Sequence, residues 1–278
     1  MQAFKQTFDY YKTIKNITKI ERIKFKNEKL NNNFDLYSII YKSDGLLVHG
    51  YILQKKDLKK ELPVIIYCRG GNRSFGENDP KTISSYKELL DIANKEIAII
   101  FYPNYRGSSK SDGIDEYCGN DVNDIINLYP IIQKICNIKN PKITLYGWSR
   151  GGLMAVLVAS KVNWIKTIII GGALYNFSRN MKERPEMKKM FIEEFKFKKK
   201  DFIKRSPKYF MNNIPKNTSV LILHGSADNK VSVYDAYEYG QQCQKLNLTY
   251  KLIIYPNGNH GLTEYSDNVS REVIEWIS

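Results

Sequence analysis

The segment Gly147-Trp148-Ser149-Arg150-Gly151-Gly152 follows the apolar run ITLY (143–146) and opens the apolar run LMAVLVAS (153–160). This is G-x-S-x-G spacing in a strand–turn–helix setting, an arrangement that presents a nucleophilic serine on a sharp turn. Such a turn strains the serine backbone and pushes its hydroxyl outwards. Gly147 and Gly151 carry no Cβ, so strand and helix can close around the turn. The Arg150 amide then lies at a helix N-terminus, placed to donate to a developing oxyanion. The chemistry that fits is acyl transfer through Ser149.

A serine hydroxyl is too weakly acidic to attack a carbonyl unaided and needs a base. The chain has three histidines. His49 lies within LLVHGYIL, far in topology from the serine turn, where it packs a strand or faces solvent. His224 ends the run SVLILHG and fixes the following turn through backbone hydrogen bonds. His260 follows the last apolar run on the loop Pro256-Asn257-Gly258-Asn259-His260-Gly261, which could reach across a cleft, and is the candidate base. Asp228, in His-Gly-Ser-Ala-Asp-Asn-Lys-Val, stands between serine and histidine in chain order and would orient the imidazole. Asp235 is the weaker substitute, since it falls inside the next helix-like stretch. Cys68 ends an apolar run, the setting of a buried and inert thiol.

These residues need a scaffold. FDLYSIIY and LLVHGYIL flank Lys42-Ser43-Asp44-Gly45 and read as an antiparallel hairpin. Six short Ile/Val-rich runs without alternation follow: 63–68, 97–102, 142–148, 166–172, 219–225 and 250–256. They suit parallel strands buried on both faces. Helix-like stretches lie between and after them, at about 80–95, 121–136, 151–162, 234–246 and 267–278. The expectation is one α/β domain over 1–278, a mostly parallel sheet with an antiparallel N-terminal hairpin and helices on both faces. Residues 173–215 break the rhythm and read as a helical cap insertion. Ser149, Asp228 and His260 all fall just past strand carboxyl ends, where open α/β sheets build their sites.

Hydrophobic residues make up 42% and charged residues 26% of the 278, the balance of a soluble globular chain. No apolar run approaches the roughly 18 residues of a spanning helix, and the N-terminus has no signal-peptide core, so a cytoplasmic protein away from membranes is expected. The four cysteines are scattered, which argues against a metal site or disulfide framework. The net charge of +14 raises the question of nucleic acid, but half of the excess sits in residues 179–208, with twelve Lys or Arg against five Asp or Glu. No nucleic-acid-binding motif accompanies it, and none is expected to bind.

The chain resembles the catalytic domain of the prolyl oligopeptidase family, within the α/β-hydrolase fold. The resemblance rests on Ser43-Asp44-Gly45 with Gly50, Asn104-Tyr105-Arg106-Gly107-Ser108, Asp121-Val122-Asn123-Asp124, GWSRGG, Arg205-Ser206-Pro207, HGSADNKV and Asn259-His260-Gly261, in family order. It implies cleavage of short peptides or acyl compounds through an acyl-enzyme, without a cofactor. Large members carry an N-terminal β-propeller; only about 35 residues precede the hydrolase pattern here, so no propeller is expected. The oxyanion loop falls at Tyr67-Cys68-Arg69-Gly70-Gly71-Asn72, with Arg69 where the family usually has histidine or tyrosine. Arg150, Arg69, Gly70 and Gly71 are the oxyanion candidates, the Arg69 side chain being equally suited to face solvent or a substrate carboxylate. Trp148, Asn104 and Tyr105 are candidates to line the substrate pocket, and Asp121 and Asp124 read as helix-start residues.

The expected function is hydrolysis of a small ester or short peptide by Ser149, His260 and Asp228. In the cap, Met181, Met187, Met190, Phe191, Phe195 and Phe202 would form an apolar face, as core packing or as a pocket wall. An acyltransferase or thioesterase on the same scaffold, or a non-catalytic binding protein, are the competing readings. Assembly into a homo-oligomer is compatible with the sequence and not specified by it.

Overall fold

Asp44 (φ 50°) and Gly45 (φ 81°) both take the left-handed conformation that a tight two-residue hairpin turn requires. They join β2 (Phe34–Ser43) to β3 (Leu46–Lys55), paired in register over their whole length. In this computed structural model residues 8–58, 61–108, 110–136 and 140–278 are described. β4 (Val64–Cys68), β5 (Ile99–Pro103), β6 (Ile143–Trp148), β7 (Ile165–Gly171), β8 (Ser219–Gly225) and β9 (Tyr250–Tyr255) lie within a few residues of the six apolar runs. A strand absent from the sequence reading, β1 (Ile17–Ile23), pairs antiparallel with β2.

The nine strands form one sheet in the order β1-β2-β3-β5-β4-β6-β7-β8-β9. β1, β2, β3 and β5 pair antiparallel, and every pairing from β5 to β9 is parallel. β4 and β5 are buried at every residue because both faces are covered. Val64, Ile66 and Cys68 enter one core, while Ile65 and Tyr67 enter the other. Strand order reverses at β4, which has β5 on one side and β6 on the other. A cleft opens at such a switch point, beyond the carboxyl ends of the strands.

Two expected helices are each broken in two. The stretch 80–95 forms Pro80–Ser85 and Lys87–Asn94, and 121–136 forms Val122–Ile126 and Tyr129–Cys136. Between β7 and β8 the chain forms helices Phe177–Glu183, Pro185–Glu193 and Lys199–Lys204. Phe191 is their hub, with ring centroids 5.2 Å from Phe177, 5.2 Å from Phe197 and 4.6 Å from Tyr117. Met181 and Phe202 are buried, and Met187, Met190 and Phe195 pack partly buried against the same core. Among the described residues no helix is long and apolar enough to cross a membrane.

Candidate active site

Ser149 sits between β6 and the helix Arg150–Ala159 at φ 56°, ψ −121°. A side chain adopts that backbone only under strain, so the surroundings must hold it. They do so by close approach. A Cβ on Gly147 would lie 2.1 Å from Gly151 O, and one on Gly151 would lie 1.8 Å from Cys68 O. The Ser149 amide donates to Gly171 O at 2.7 Å, which fixes the turn to β7. The Arg150 amide opens the helix, where the first N–H groups have no intrahelical acceptor.

Opposite the turn runs the loop after β4. A Cβ on Gly70 would lie 3.1 Å from Trp148 O and 3.8 Å from Ser149 Cβ, so this loop borders the serine. Among the described residues the amides of Gly70, Gly71 and Asn72 donate to no acceptor. The Arg69 side chain is a correction to its candidacy as an oxyanion donor. It is fully buried, and it donates to the carbonyls of Asn104 (3.1 Å), Gly70 (3.2 Å), Phe75 (3.2 Å) and Arg73 (2.8 Å). The guanidinium wraps the loop from inside.

The Arg150 guanidinium is buried too. It pairs with Asp115 through both terminal nitrogens (2.7 and 2.6 Å) and with Asp121 (2.5 Å), and donates to Gly71 O at 3.0 Å. Asp115 Oδ2 also accepts from the Arg73 amide at 2.5 Å. Sequence reasoning missed Asp115, which lies in a polar loop with no periodicity to mark it. Asp121 precedes the helix Val122–Ile126, as read, but caps nothing with its side chain and serves as an ion-pair partner. Asp124 is likewise a buried acid, bound to Arg106 and to Ser43 Oγ.

Asn104 and Tyr105 do not line the cleft. Asn104 Oδ1 accepts from the Asn78 amide at 2.8 Å, and its Nδ2 donates to Asn78 O at 2.8 Å and towards His49 Nδ1 at 3.3 Å. Tyr105 is fully buried beneath the Arg69 and Arg150 guanidinium groups, 5.0 and 5.5 Å from its ring centre. Burial behind the loop turns both into its support. Trp148 is half-buried, lies against Gly171, and donates from Nε1 to His260 O at 2.6 Å.

On the other wall, His260 Nδ1 and Asp228 Oδ2 are 2.7 Å apart. A Cβ on Gly172 would lie 3.1 Å from the His260 ring, which places the imidazole over the chain just past Gly171, the residue bonded to Ser149. No hydrogen bond joins the Ser149 hydroxyl to the ring among the described residues; such contacts often tighten only once substrate is bound. Asp228 Oδ1 accepts from the amides of Lys230 (2.8 Å) and Val231 (3.0 Å). Burial opposes its ionisation, but hydrogen bonds from His224 and His260 outweigh that and hold the carboxyl well below its ordinary range.

Of the other candidates, only His224 touches the paired His260 and Asp228. His224 Nε2 lies 3.0 Å from Val231 O, fixing the turn as expected, and 3.2 Å from Asp228 Oδ2, a second contact the sequence did not disclose. His49 packs within β3, with Nε2 2.8 Å from Ser38 Oγ, and burial pushes its pKa down to about 4. Asp235 is buried and accepts from the amides of Tyr175 (2.7 Å) and Asn176 (2.8 Å), anchoring the start of the inserted helices. Cys68 is buried and unpaired, and burial pushes its thiol far up, away from thiolate chemistry. No cluster of His, Cys, Asp or Glu suited to a metal ion occurs among the described residues.

Comparison with known proteins bears on the family and the fold. The sequence profile described as the prolyl oligopeptidase family matches residues 85–278, more than half of the chain. The uncharacterized peptidase YtmA of Bacillus subtilis is 25% identical over 248 residues, covering 87% of this chain and 93% of YtmA. Acylamino-acid-releasing enzyme 1 of Oryza sativa subsp. japonica is 23% identical over 220 residues, which make up only 27% of that enzyme. Among solved structures, the acylaminoacyl peptidase of Pyrococcus horikoshii superposes with a TM-score of 0.69 at 19% identity, over 87% of this chain and 39% of the other. An acetyl xylan esterase from Paenibacillus sp. R4 superposes with a TM-score of 0.72 at 16% identity, over 96% and 92%. The chain therefore spans nearly all of YtmA and of the esterase, but well under half of the larger peptidases. The fold is that of an α/β-hydrolase, and the chain belongs to the prolyl oligopeptidase family of serine hydrolases.

Proposed function

We propose that the protein hydrolyses small esters or short peptides through an acyl-enzyme on Ser149. The observation that carries this reading is the 2.7 Å contact between His260 and Asp228 beside a serine held at positive φ. With Nδ1–H donating to Asp228, Nε2 of His260 is left to take the serine proton as Ser149 attacks the carbonyl carbon. The developing oxyanion would be met by the amides of Arg150 and of Gly70 or Gly71, where loss of one donor costs roughly 10²–10³ in kcat. His260 then returns its proton to the leaving group, and water repeats the steps to release the acid.

The relatives matched along nearly their whole length include an esterase and an uncharacterized peptidase, whereas the large acylaminoacyl peptidases match over a minor part. Small acyl groups are thus the first substrates to try. The test is intact mass after incubation with a fluorophosphonate, for wild type and Ser149→Ala. One adduct per chain on wild type and none on the variant is the expected result. A folded wild type that takes no adduct, or a variant labelled equally, overturns the assignment.

A further inference from the structure

Adjacent strands bring tyrosines to one level of the same sheet face. Tyr67 on β4 pairs in register with Tyr146 on β6, their rings 5.6 Å apart, and Tyr102 on β5 lies 5.8 Å from Tyr67 on the other side. Tyr86 covers this row, 4.7 Å from Tyr67 and stacked on Tyr102. Two residues beyond Tyr146, Trp148 emerges on the same face. Into these rings the helix Lys87–Asn94 delivers one carboxyl group, Glu88, whose Oε1 accepts from Tyr146 OH at 2.6 Å.

Glu88 has no cationic partner among the described residues. Its neighbour Lys87 borders a cavity beside Glu88, but its ammonium is already paired with Asp267, 2.9 Å away. Burial pushes the Glu88 carboxyl above its ordinary range, with the Tyr146 hydrogen bond working the other way. A half-buried carboxylate with no counter-charge is stabilised by a cation placed beside it. Space for a cation exists. A cavity of about 370 Å³ is lined by Tyr67, Tyr86, Glu88, Trp148, Gly261 and Leu262, among others, a size at the lower end of ligand pockets (roughly 300–1,000 Å³). Neither Ser149 nor His260 is in its walls, although Trp148 and Gly261 adjoin them in the chain.

We infer that this cavity binds a small organic ammonium ion, with Glu88 as counter-ion and Tyr67, Tyr86 and Trp148 as its aromatic walls. The π faces of tyrosine and tryptophan attract a cation. An inorganic ion would gain little from the rings, and a neutral aromatic would leave the carboxyl unpaired. The site stands independently of the triad reading, because it requires no reaction at Ser149.

The test is calorimetric titration with benzylammonium and with its neutral counterpart benzyl alcohol, on wild type, Glu88→Gln and Tyr86→Leu, each checked for folding by thermal melting. The expected result is saturable benzylammonium binding to wild type, at least tenfold tighter than benzyl alcohol. Binding should weaken at least tenfold in Glu88→Gln and severalfold in Tyr86→Leu. Absence of saturable binding to wild type, equal affinity for the alcohol, or undiminished affinity in Glu88→Gln overturns the site. Should Glu88→Gln fail to fold, the amine–alcohol ratio on wild type and the Tyr86→Leu affinity decide the matter.

Discussion

The two walls of the cleft are built from different materials. The loop after β4 is braced by buried charge: Arg69 reaches four backbone carbonyls, and Arg150 joins Asp115, Asp121 and Gly71. The wall that carries His260 is held by hydrogen bonds rather than by fixed cations. Asp228 is pinned by two amides, Asn259 Oδ1 accepts from the Gly261 amide at 2.9 Å, and Trp148 holds the His260 carbonyl. The His260 side chain keeps 25% of its surface exposed, whereas Arg150 keeps 1%. Fixed charge braces the wall whose geometry has to stay constant. The wall proposed to move a proton is left open, with its buried acid Asp228 in contact with two imidazoles.

The sharpest way to separate the walls is Asp228→Asn. An amide preserves the acceptor for Lys230 and Val231 but turns the imidazole towards the wrong tautomer, so ester turnover should fall by roughly 10⁴. Urea unfolding should show a loss below about 2 kcal/mol. Arg150→Met reverses the balance. It leaves Asp115 and Asp121 buried without their cation and should cost about 3–5 kcal/mol in urea unfolding. Labelling by a fluorophosphonate should slow as well, since Gly71 and Arg73 lose their anchor. Arg150→Lys should restore little of either, because a single ammonium cannot span two carboxylates. If Asp228→Asn proves the more destabilising of the two, the contrast between the walls is wrong.

A smaller effect comes from His49, at the foot of the oxyanion wall, which contacts Asn104 on one nitrogen and Ser38 on the other. The unfolded chain takes up a proton here near pH 6.5, the folded chain only near pH 4. Between those values the unfolded state binds more protons, so stability falls as pH drops through the window, by up to about 3 kcal/mol. In His49→Gln that part of the acid limb should flatten, as read by denaturant midpoints at pH 7, 5.5 and 4.5. An unchanged pH slope would show that the imidazole protonates in place.

The parallel strands were legible because burial on both faces writes them as continuous apolar runs, and the sharp turn at Ser149 because its glycines stand at fixed spacing around the serine. β1 was not. Its isoleucines at 17, 20 and 23 recur every three residues, a helical interval, and a register shift between Ile17 and Lys19 breaks the strand's alternation. The residues flanking Ser149, Asp228 and His260 were harder to read. Arg150 finds its acids 29 and 35 positions away, and Arg69, Asn104 and Tyr105 look like cleft residues until the fold places them behind the loop. Pairings of that kind depend on how distant loops meet, which no local pattern records.

The position of each wall in the sheet also bears on synthesis. The oxyanion loop and Ser149 follow β4 and β6, interior neighbours paired up to Cys68 and Gly147, whereas His260 follows β9 at the sheet edge. In a chain growing on the ribosome, the strands that carry the loop after β4 and Ser149 are made before His260, the proposed base, is translated. On the proposed function, Ser149 would then have no proton acceptor until the last strand adds to the edge, and the chain would stay inert towards acyl bonds until synthesis was nearly finished.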